Sequence, residues 1–273
     1  MLGTSRTSLQ QLHERLDAIY ADESLRPFLA DSGTGVLSVI DATDRERSLK
    51  ALLADTSTPD TVKNGVLDQL FGGRIPDLSL DLVKQIVDAR WSNPGDLMDA
   101  LEEGAAGLLF MAAEADDRLD RVEEELFRFG RSLDASADLQ MALSNPATSA
   151  EVKTGIVQDL TDGKSDPITE EVLVYLAGHL RGRRMPSAVA QLSDLAAVRR
   201  GRVVAIVTSA IPLTDDQKSR LAGALSKIQG KQVLINVTVD PSVVGGIQVR
   251  VDDEVIDGTL ATRIEQARRR LTS

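Results

Sequence analysis

The sequence predicts an α+β protein, with two related all-α helical bundles followed by a small β-α-β-β-α domain. Three observations predict this fold class. Apolar residues recur at helical spacing up to about residue 197, a segment of 22 residues recurs 90 positions later, and runs of β-branched residues begin at residue 203. The chain has 273 residues, and only 3% of them are aromatic. Its length indicates more than one domain, and its core must be built mainly from aliphatic side chains.

The first helical bundle is predicted over residues 1–103. Apolar residues at helical spacing, as at Leu9, Leu12 and Leu16, indicate an amphipathic helix near the start of the chain. The pattern that follows is less regular because Gly33 and Gly35 interrupt it.

An internal repeat relates residues 49–70 to residues 139–160, and it predicts a second helical bundle over residues 104–200. The identical pairs are Leu49/Leu139, Leu53/Leu143, Thr58/Thr148, Val62/Val152, Lys63/Lys153, Gly65/Gly155 and Leu70/Leu160. Thr58 and Thr148 are each placed to cap the helix that follows. Pro59 then fills the first helical position in the first copy, and Glu151 completes a capping box in the second.

The β-α-β-β-α domain is predicted over residues 201–273. Thr214 and Gln217 form a capping-box pattern that opens its first helix, and residues 257–259 begin its last helix, which ends at Arg268-Arg269-Arg270. The predicted strands are Val203–Val207, Val233–Val239 and Ile247–Val251, with Asp240-Pro241 and Gly245-Gly246 in the turn between the last two.

Charge is distributed unevenly along the chain, whose net charge is −11. From residue 198 onward there are 12 Lys and Arg against 8 Asp and Glu, whereas the preceding residues hold 19 against 34. An acidic surface of this size repels a phosphate backbone, so no nucleic-acid partner is expected. The N-terminal segment lacks a signal-peptide core, and no apolar run reaches the length of a membrane span. We therefore expect a soluble chain that associates with a membrane only through a partner.

No catalytic, cofactor or metal site is predicted. Cysteine is absent, which excludes disulfides, thiolate metal sites and thiol nucleophiles. His13 and His179 occupy different positions in the two copies and are interpreted as ordinary helix residues. Gly245-Gly246 precedes a strand rather than a helix, so it is not a dinucleotide fingerprint. Residues 252–254 are acidic, but they lack calcium-loop spacing and indicate a hairpin turn.

Two further features have a structural and a functional interpretation. Glu123-Glu124-Glu125 is a solvated helix face or a surface for a basic partner. The run Arg268-Arg269-Arg270 suits a helix C-terminus or an acidic partner. Trp91 is interpreted as a packing anchor.

Four segments of the last domain occur in an order and spacing that resemble a known family. They are Val207–Thr214, Gly230–Val233, Val239–Ile247 and Val255–Thr259. Together they resemble the delta subunit of the bacterial F-type ATP synthase, the equivalent of the mitochondrial oligomycin-sensitivity-conferring protein. The motif residues are Ser209, Pro212, Asp240, Pro241, Gly245, Gly246, Asp257 and Gly258. Thr259 stands where the family commonly has serine, a change that keeps the hydroxyl group.

The likeness to the standard form of this family covers residues 104–273, and the preceding residues are an extra copy of the helical bundle. Such a duplication resembles the long delta subunits of actinobacteria, as do Arg90-Trp91-Ser92 and the segment Val122–Gly130. In some actinobacteria the delta region follows a membrane-anchored b-type segment. This sequence contains no such segment, so a separate b subunit is expected to supply the anchor.

The resemblance implies a mechanical function without catalysis or a cofactor. It implies a peripheral-stalk subunit at the cytoplasmic face of the plasma membrane, whose helical bundle binds the N-terminal helices of the alpha subunits and whose last domain binds the b subunit. The alpha-binding groove is predicted at Leu108, Leu109, Leu173, Leu176 and Leu180. Plain burial in the core is the alternative for these leucines. A helical scaffold unrelated to the synthase and an enzyme with a dispersed site are the alternative functions.

Overall fold

A computed structural model describes residues 3–229, 232–241, 243, 245–251 and 254–257 of the protein. The chain divides into two compact units, Met1–Arg200 and Gly201–Ser273. We call them the helical unit and the sheet unit. Their mixed content of helix and sheet is consistent with the predicted α+β class.

The described part of the helical unit contains eleven α-helices and a short 3₁₀ helix, Glu23–Phe28. The α-helices are α1 (Thr4–Ala21), α2 (Leu29–Arg45), α3 (Arg47–Ala54), α4 (Asp60–Phe71), α5 (Asp77–Asp88), α6 (Pro94–Ala115), α7 (Leu119–Ala135), α8 (Ala137–Ser144), α9 (Ala150–Thr161), α10 (Pro167–Gly178) and α11 (Met185–Arg200). The bounds of α2, α3, α4 and α5 recur 90 residues later as those of α7, α8, α9 and α10. The same helical pattern therefore occurs twice.

Helix α6 is the centre of the helical unit. It has 22 residues, of which 15 are buried, and it is apolar around most of its circumference. It packs against α1, α2 and α5 and also against α7, α10 and α11. A helix with this pattern is buried on all sides. The boundary predicted between residues 103 and 104 thus falls inside a continuous helix, which both halves of the unit share.

Gly33 and Gly35 do not interrupt α2, contrary to the irregularity that the sequence indicates. They let the helix approach its neighbours closely. A Cβ atom at Gly33 would lie 2.6 Å from Cγ of Leu109 on α6 and 3.2 Å from the carbonyl oxygen of Ala105. A Cβ atom at Gly35 would collide with the hydroxyl of Ser79 on α5. Both glycines are therefore explained by packing between helices.

Substituting Gly33 by alanine should destabilise the helical unit by about 1–3 kcal/mol, because the added methyl group overpacks the contact with Leu109. Gly65→Ala is the matched control. Gly65 also lies within a helix, but a Cβ atom there would meet nothing within 4 Å. That control should gain about 0.5–1 kcal/mol from helix propensity alone. Urea unfolding of the full chain, followed by circular dichroism, measures both. Shifts of the same sign would contradict the close packing of α2 on α6.

The helix caps differ by one residue from those that the repeat predicts. Ser149, not Thr148, caps α9, and its hydroxyl accepts a hydrogen bond from the backbone amide of Val152. Thr58 does not cap α4 either, because its hydroxyl donates to Asp55 at 2.7 Å. The predictions of Thr58 and Thr148 as caps are therefore wrong. Both helices begin one residue later than the sequence pattern indicates.

The sheet unit contains one helix and four strands in its described part. They are β1 (Arg202–Ser209), α12 (Asp215–Gln229), β2 (Gln232–Val239), β3 (Ile247–Val251) and β4 (Glu254–Asp257). The strand order in the sheet is β2-β1-β3-β4. Strand β1 is parallel to β2 and antiparallel to β3, which in turn is antiparallel to β4. The parallel pair follows from the crossover through α12.

The capping box predicted for α12 is confirmed. The Thr214 hydroxyl accepts a hydrogen bond from the amide of Gln217 at 3.3 Å, and the Gln217 side chain accepts one from the amide of Thr214 at 2.8 Å. Strand β4 is the difference from the prediction, because Asp257 ends a strand where the last helix was expected to begin. The remainder of that predicted helix, including Arg268-Arg269-Arg270, lies outside the described residues.

The core of the sheet unit lies between α12 and one face of the sheet. Every second residue of a strand points to the same face, so each strand contributes alternate side chains. The buried members are Ala205, Val207, Leu225, Val233, Val249 and Val251. The unit therefore has its own apolar core.

Candidate functional site

The five leucines predicted to line a partner groove are buried. Leu108 and Leu109 lie on α6, Leu173 and Leu176 lie on α10, and Leu180 follows α10. The structure brings them onto two helices that pack together. Leu109 is covered by α2 at Gly33. A partner helix could contact these leucines only after neighbouring helices had moved, so the groove at this place stays a prediction.

An open groove lies at the corresponding place of the first copy, between α1 and α5. It has a volume of about 340 Å³. Leu12, Leu82, Ile86 and Trp91 give it apolar walls. The Trp91 indole donates a hydrogen bond to the carbonyl of Ile86 at 2.7 Å, which fixes the ring at one end of the groove. The groove is therefore a preformed cleft between two helices, with buried apolar side chains at its base.

Polar groups mark the edges of this groove. Gln11, Arg15, Gln85 and Asp88 also line it. The Nε atom of Arg15 is buried and has no hydrogen-bond partner among the described residues. A buried donor without a partner is costly, and an acceptor from a bound segment would satisfy it.

In the second copy the equivalent place is filled by side chains of the chain itself. Tyr175 stands 90 residues after Gln85, and His179 stands 90 residues after Ala89. The two rings are stacked with their centroids 4.4 Å apart. Burial raises the pKa of Tyr175, the largest effect on this phenol. The second place thus differs from the open groove in two ways. Larger side chains stand in it, and helix α2 covers it through contacts with Leu109, Glu171 and His179.

The segment after α10 carries two arginines that form ion pairs with a carboxylate on α6. Arg181 contacts the Glu102 carboxylate at 2.6 Å and Arg183 contacts it at 2.8 Å. Arg181 also reaches Asp44 on α2 at 3.7 Å. Burial by itself lowers the pKa of Arg181, but the nearby Glu102 carboxylate more than offsets this, so the pKa is raised. The network therefore remains charged and joins α2, α6 and the end of α10.

Two polar contacts join α2 directly to α10. The Thr34 hydroxyl donates to the Glu171 carboxylate at 2.5 Å, and His179 lies 3.2 Å from Asp41. Burial raises the pKa of Glu171 above its ordinary value of 4.5. The carboxylate form of this residue is thus disfavoured in the folded chain.

Glu171→Gln should raise the melting temperature at neutral pH and lose this advantage in acid. The pKa of Glu171 is higher in the folded than in the unfolded chain. The contribution of Glu171 to stability is fully present below its pKa in the unfolded chain. It is lost as pH rises through its pKa in the folded chain. A glutamine, which is always neutral, removes that loss and still accepts from Thr34.

Glu151→Gln is the control of opposite sign. Hydrogen bonds from its own backbone amide and from Ser149 lower the pKa of Glu151. Its contribution is therefore present above the unfolded pKa and is lost in acid. Melting curves between pH 4 and pH 8 measure both variants. A Glu171→Gln gain that does not depend on pH would contradict the burial of this carboxylate.

The acidic run Glu123-Glu124-Glu125 is paired within the helical unit. Glu123 pairs with Arg200, Glu124 with Arg128, and Glu125 with Arg121. These contacts bind α7 to α11 and strengthen α7 along its own surface. The structural interpretation of this run is thereby favoured over a surface for a basic partner.

The family-motif residues of the sheet unit hold the ends of β1 and β2 together. The Ser209 hydroxyl donates to the carbonyl of Ile211 at 2.6 Å, just before Pro212. The carbonyl of Ser209 accepts from the amide of Asp240, which precedes Pro241, at 2.9 Å. The described motif residues around Ser209 therefore serve the fold.

Gly245 and Gly246 have φ angles of 63° and 83°, which glycine adopts without strain. This confirms the interpretation of the pair as a bend that needs unusual backbone angles. Asp257 is the last residue of β4, and Gly258 lies outside the described residues.

Neither a metal site nor a membrane span appears in the part of the chain that the structure describes. Histidine and acidic residues do not gather there in groups of three or more that could hold an ion. Within the same residues, every helix is too short or too polar to cross a bilayer. The class of protein that this fold defines is one with a large helical unit and a small sheet unit that has its own core.

Comparison with known proteins identifies the family to which this chain belongs. The sequence model of the ATP synthase delta (OSCP) subunit matches residues 106–271. ATP synthase subunit delta of Streptomyces griseus is 42% identical over 271 residues, covering 99% of both chains, and that of Beutenbergia cavernae is 41% identical over 273 residues, also covering 99% of both. The chain belongs to the ATP synthase delta (OSCP) subunit family. It is therefore a non-catalytic, structural peripheral-stalk subunit of this membrane-associated complex.

One solved structure is similar at a lower level. A chain of the cryo-EM structure of the Toxoplasma gondii mitochondrial ATP synthase hexamer is 21% identical, with a TM-score of 0.31. The match covers 63% of the present chain and 98% of the other.

Proposed function

We propose that this chain ties the catalytic head of the F-type ATP synthase to the membrane-anchored b subunit, at the cytoplasmic face of the plasma membrane. It would resist the torque of the rotor during proton-driven ATP synthesis. The observation that carries the proposal is family membership together with the open groove between α1 and α5. A rigid helical unit centred on α6 suits an element that transmits force.

The proposed organisation has three parts. Residues 1–103 form an extra copy of the helical bundle, residues 104–200 form the standard copy, and residues 201–273 form the domain that contacts b. The recurrence of four helices after 90 residues supports a duplication. Because α6 belongs to both copies, they act as one body.

The N-terminal helices of the alpha subunits are the proposed ligands of the helical unit. The groove between α1 and α5 supports this assignment because it is open and apolar and because it offers the unpartnered Arg15 Nε atom. The predicted site at Leu108, Leu109, Leu173, Leu176 and Leu180 is proposed as the second-copy counterpart of this groove. Its occupation requires movement of the helices that now cover it.

The sheet unit is the proposed contact for the b subunit. Its described surface exposes large apolar side chains, with Ile211 70% exposed and Val239 45% exposed. The backbone hydrogen bond between Ser209 and Asp240 joins the two segments that carry them. Apolar side chains in this number at one end of a sheet indicate an interaction surface.

Binding of the full chain to an alpha N-terminal peptide and to the soluble part of b tests the proposal. Gln85→Tyr, which copies the filled second groove, should weaken peptide binding at least ten-fold and leave binding to b unchanged. Ala51→Tyr adds the same ring at an exposed position of α3 and is the control. Failure of the unaltered chain to bind either partner would favour the alternative, a helical scaffold unrelated to the synthase.

A further inference from the structure

An exposed apolar ridge recurs on the two copies of one helix. On α4, Val62 is 48% exposed and Leu70 is 38% exposed. On α9, Val152 is 53% exposed and Leu160 is 44% exposed. A half-buried residue, Val66 or Ile156, lies between the members of each pair. We call Val62, Val66 and Leu70 the α4 ridge, and Val152, Ile156 and Leu160 the α9 ridge.

A glycine that the fold does not require lies beside each ridge. Gly65 and Gly155 are inside helices, where glycine costs about 1 kcal/mol relative to alanine. A Cβ atom at either position would meet nothing within 4 Å. Packing therefore explains Gly33 but not these two. A glycine on an exposed helix face lets the backbone of a second helix approach closely.

Identity between the two copies on this helix is not confined to its buried face. On that face Lys63 and Lys153 are identical, whereas Leu67 and Val157 differ in size and Phe71 of the first copy is replaced by Thr161 in the second. Within the ridges, Val62/Val152 and Leu70/Leu160 are identical and Val66 is replaced by Ile156. The adjacent pair Gly65/Gly155 is identical too. Packing within the chain explains identity on the buried face, but identity at exposed apolar residues indicates contact with something outside the chain.

Acidic side chains flank both ridges at different positions. Asp60 and Asp68 are exposed on α4, with Asp68 paired to Lys84, and Glu151 and Asp159 are exposed on α9. The acidic character has thus been kept although the residues that supply it have moved. A partner with basic residues beside its apolar stripe complements this surface.

We propose that α4 and α9 are two equivalent docking faces for a partner helix with an apolar stripe and basic flanks. The chain binds two copies of that helix, one on each ridge, with their backbones against Gly65 and Gly155. These faces are distinct from the groove between α1 and α5. Binding here therefore does not depend on what occupies that groove.

Glutamine in place of the two glycines tests the proposal without disturbing the fold. Gly65→Gln and Gly155→Gln place a side chain in open space and improve helix propensity, so the variants should be at least as stable as the unaltered chain. The probe is a designed 20-residue amphipathic helix with a leucine stripe and lysine flanks. It is titrated calorimetrically into full chains that all carry Gln85→Tyr, which blocks the groove between α1 and α5. In this background we expect two peptides per chain with both glycines, one per single glycine variant and none per double variant.

Gly223→Gln is the matched control, because Gly223 is also inside a helix, α12, with nothing within 4 Å of its Cβ position. In the Gln85→Tyr background it should bind two peptides. The proposal is overturned if the chain with both glycines binds no peptide in that background or if the double variant still binds two. A second titration, without Gln85→Tyr, uses the catalytic head of the synthase, for which the double variant should lose at least ten-fold in affinity. Binding of two peptides in the first titration without any binding of the head in the second contradicts the proposed function and leaves the two docking faces supported.

Discussion

Phe110→Ala should lower the free energy of unfolding of the helical unit by about 3–5 kcal/mol, the cost of deleting a buried aromatic ring. Phe110 is 1% exposed and lies on α6, which packs against helices of both copies. The cavity that remains cannot be closed from one side without disturbing the other. Phe127→Ala is the matched control on α7. Phe127 is 56% exposed, so its removal should change the free energy by less than about 0.5 kcal/mol.

Urea unfolding of the full chain measures this effect and also tests the shared helix. Because α6 belongs to both copies, they should unfold together in one transition, and the substitution should shift that transition as a whole. Two transitions within the helical unit, only one of which moves in the variant, would contradict this account. Native domains are stable by about 5–15 kcal/mol, so the loss should be visible as a large shift of the midpoint.

Local patterns in the sequence predicted the elements well. Helical spacing, the 90-residue repeat and the β-branched runs indicate helices and strands at the places where the structure has them. The capping box at Thr214 was predicted because both partners are close in sequence. Strand β4 was not predicted, since its four residues offer no alternation long enough to identify.

Features that depend on contacts between distant residues were not predicted. No pattern within residues 94–115 shows that both bundles share this helix. Its nearly continuous apolar character is the local feature that agrees with such a position. The role of Gly33 depends on Leu109, which is 76 positions away. Whether the five predicted leucines are open to a partner also depends on contacts between distant residues. Periodicity identifies an apolar face but not whether another helix of the same chain already covers it.

The candidate groove between α1 and α5 carries a weak sequence signal. Its apolar residues read as ordinary core positions, and Trp91 is interpreted from sequence only as a packing anchor. Gln85 and Ala89 line the groove where the second copy has the larger Tyr175 and His179, and helix α2 covers that second place. Aligning the copies beyond residue 70 would show this difference, but not that it leaves a cavity.

Glu102→Leu should destabilise the helical unit by about 3–5 kcal/mol, because it removes the carboxylate that Arg181 and Arg183 share. Arg181 then keeps only the longer contacts with Asp99 at 3.4 Å and Asp44 at 3.7 Å. The side chains of Glu102, Arg181 and Arg183 are 10%, 15% and 21% exposed. Removing the Glu102 carboxylate leaves the two arginines buried without the ion pairs that offset the cost of their desolvation. Glu124→Leu is the control, since Glu124 and its partner Arg128 are 60% and 69% exposed and such surface pairs contribute at most about 1 kcal/mol.

Adding Arg181→Leu to Glu102→Leu should recover part of the lost stability, because it removes one of the two buried guanidinium groups that have lost the Glu102 carboxylate. Urea unfolding of the two single variants and the double variant completes the cycle. If the changes in free energy of unfolding of the two single variants add up to that of the double variant, the Glu102 carboxylate and Arg181 do not interact. Coupling between them means that α6 and the end of α10 resist separation together. The proposed function requires this property, because an element that transmits force must not come apart between its helices.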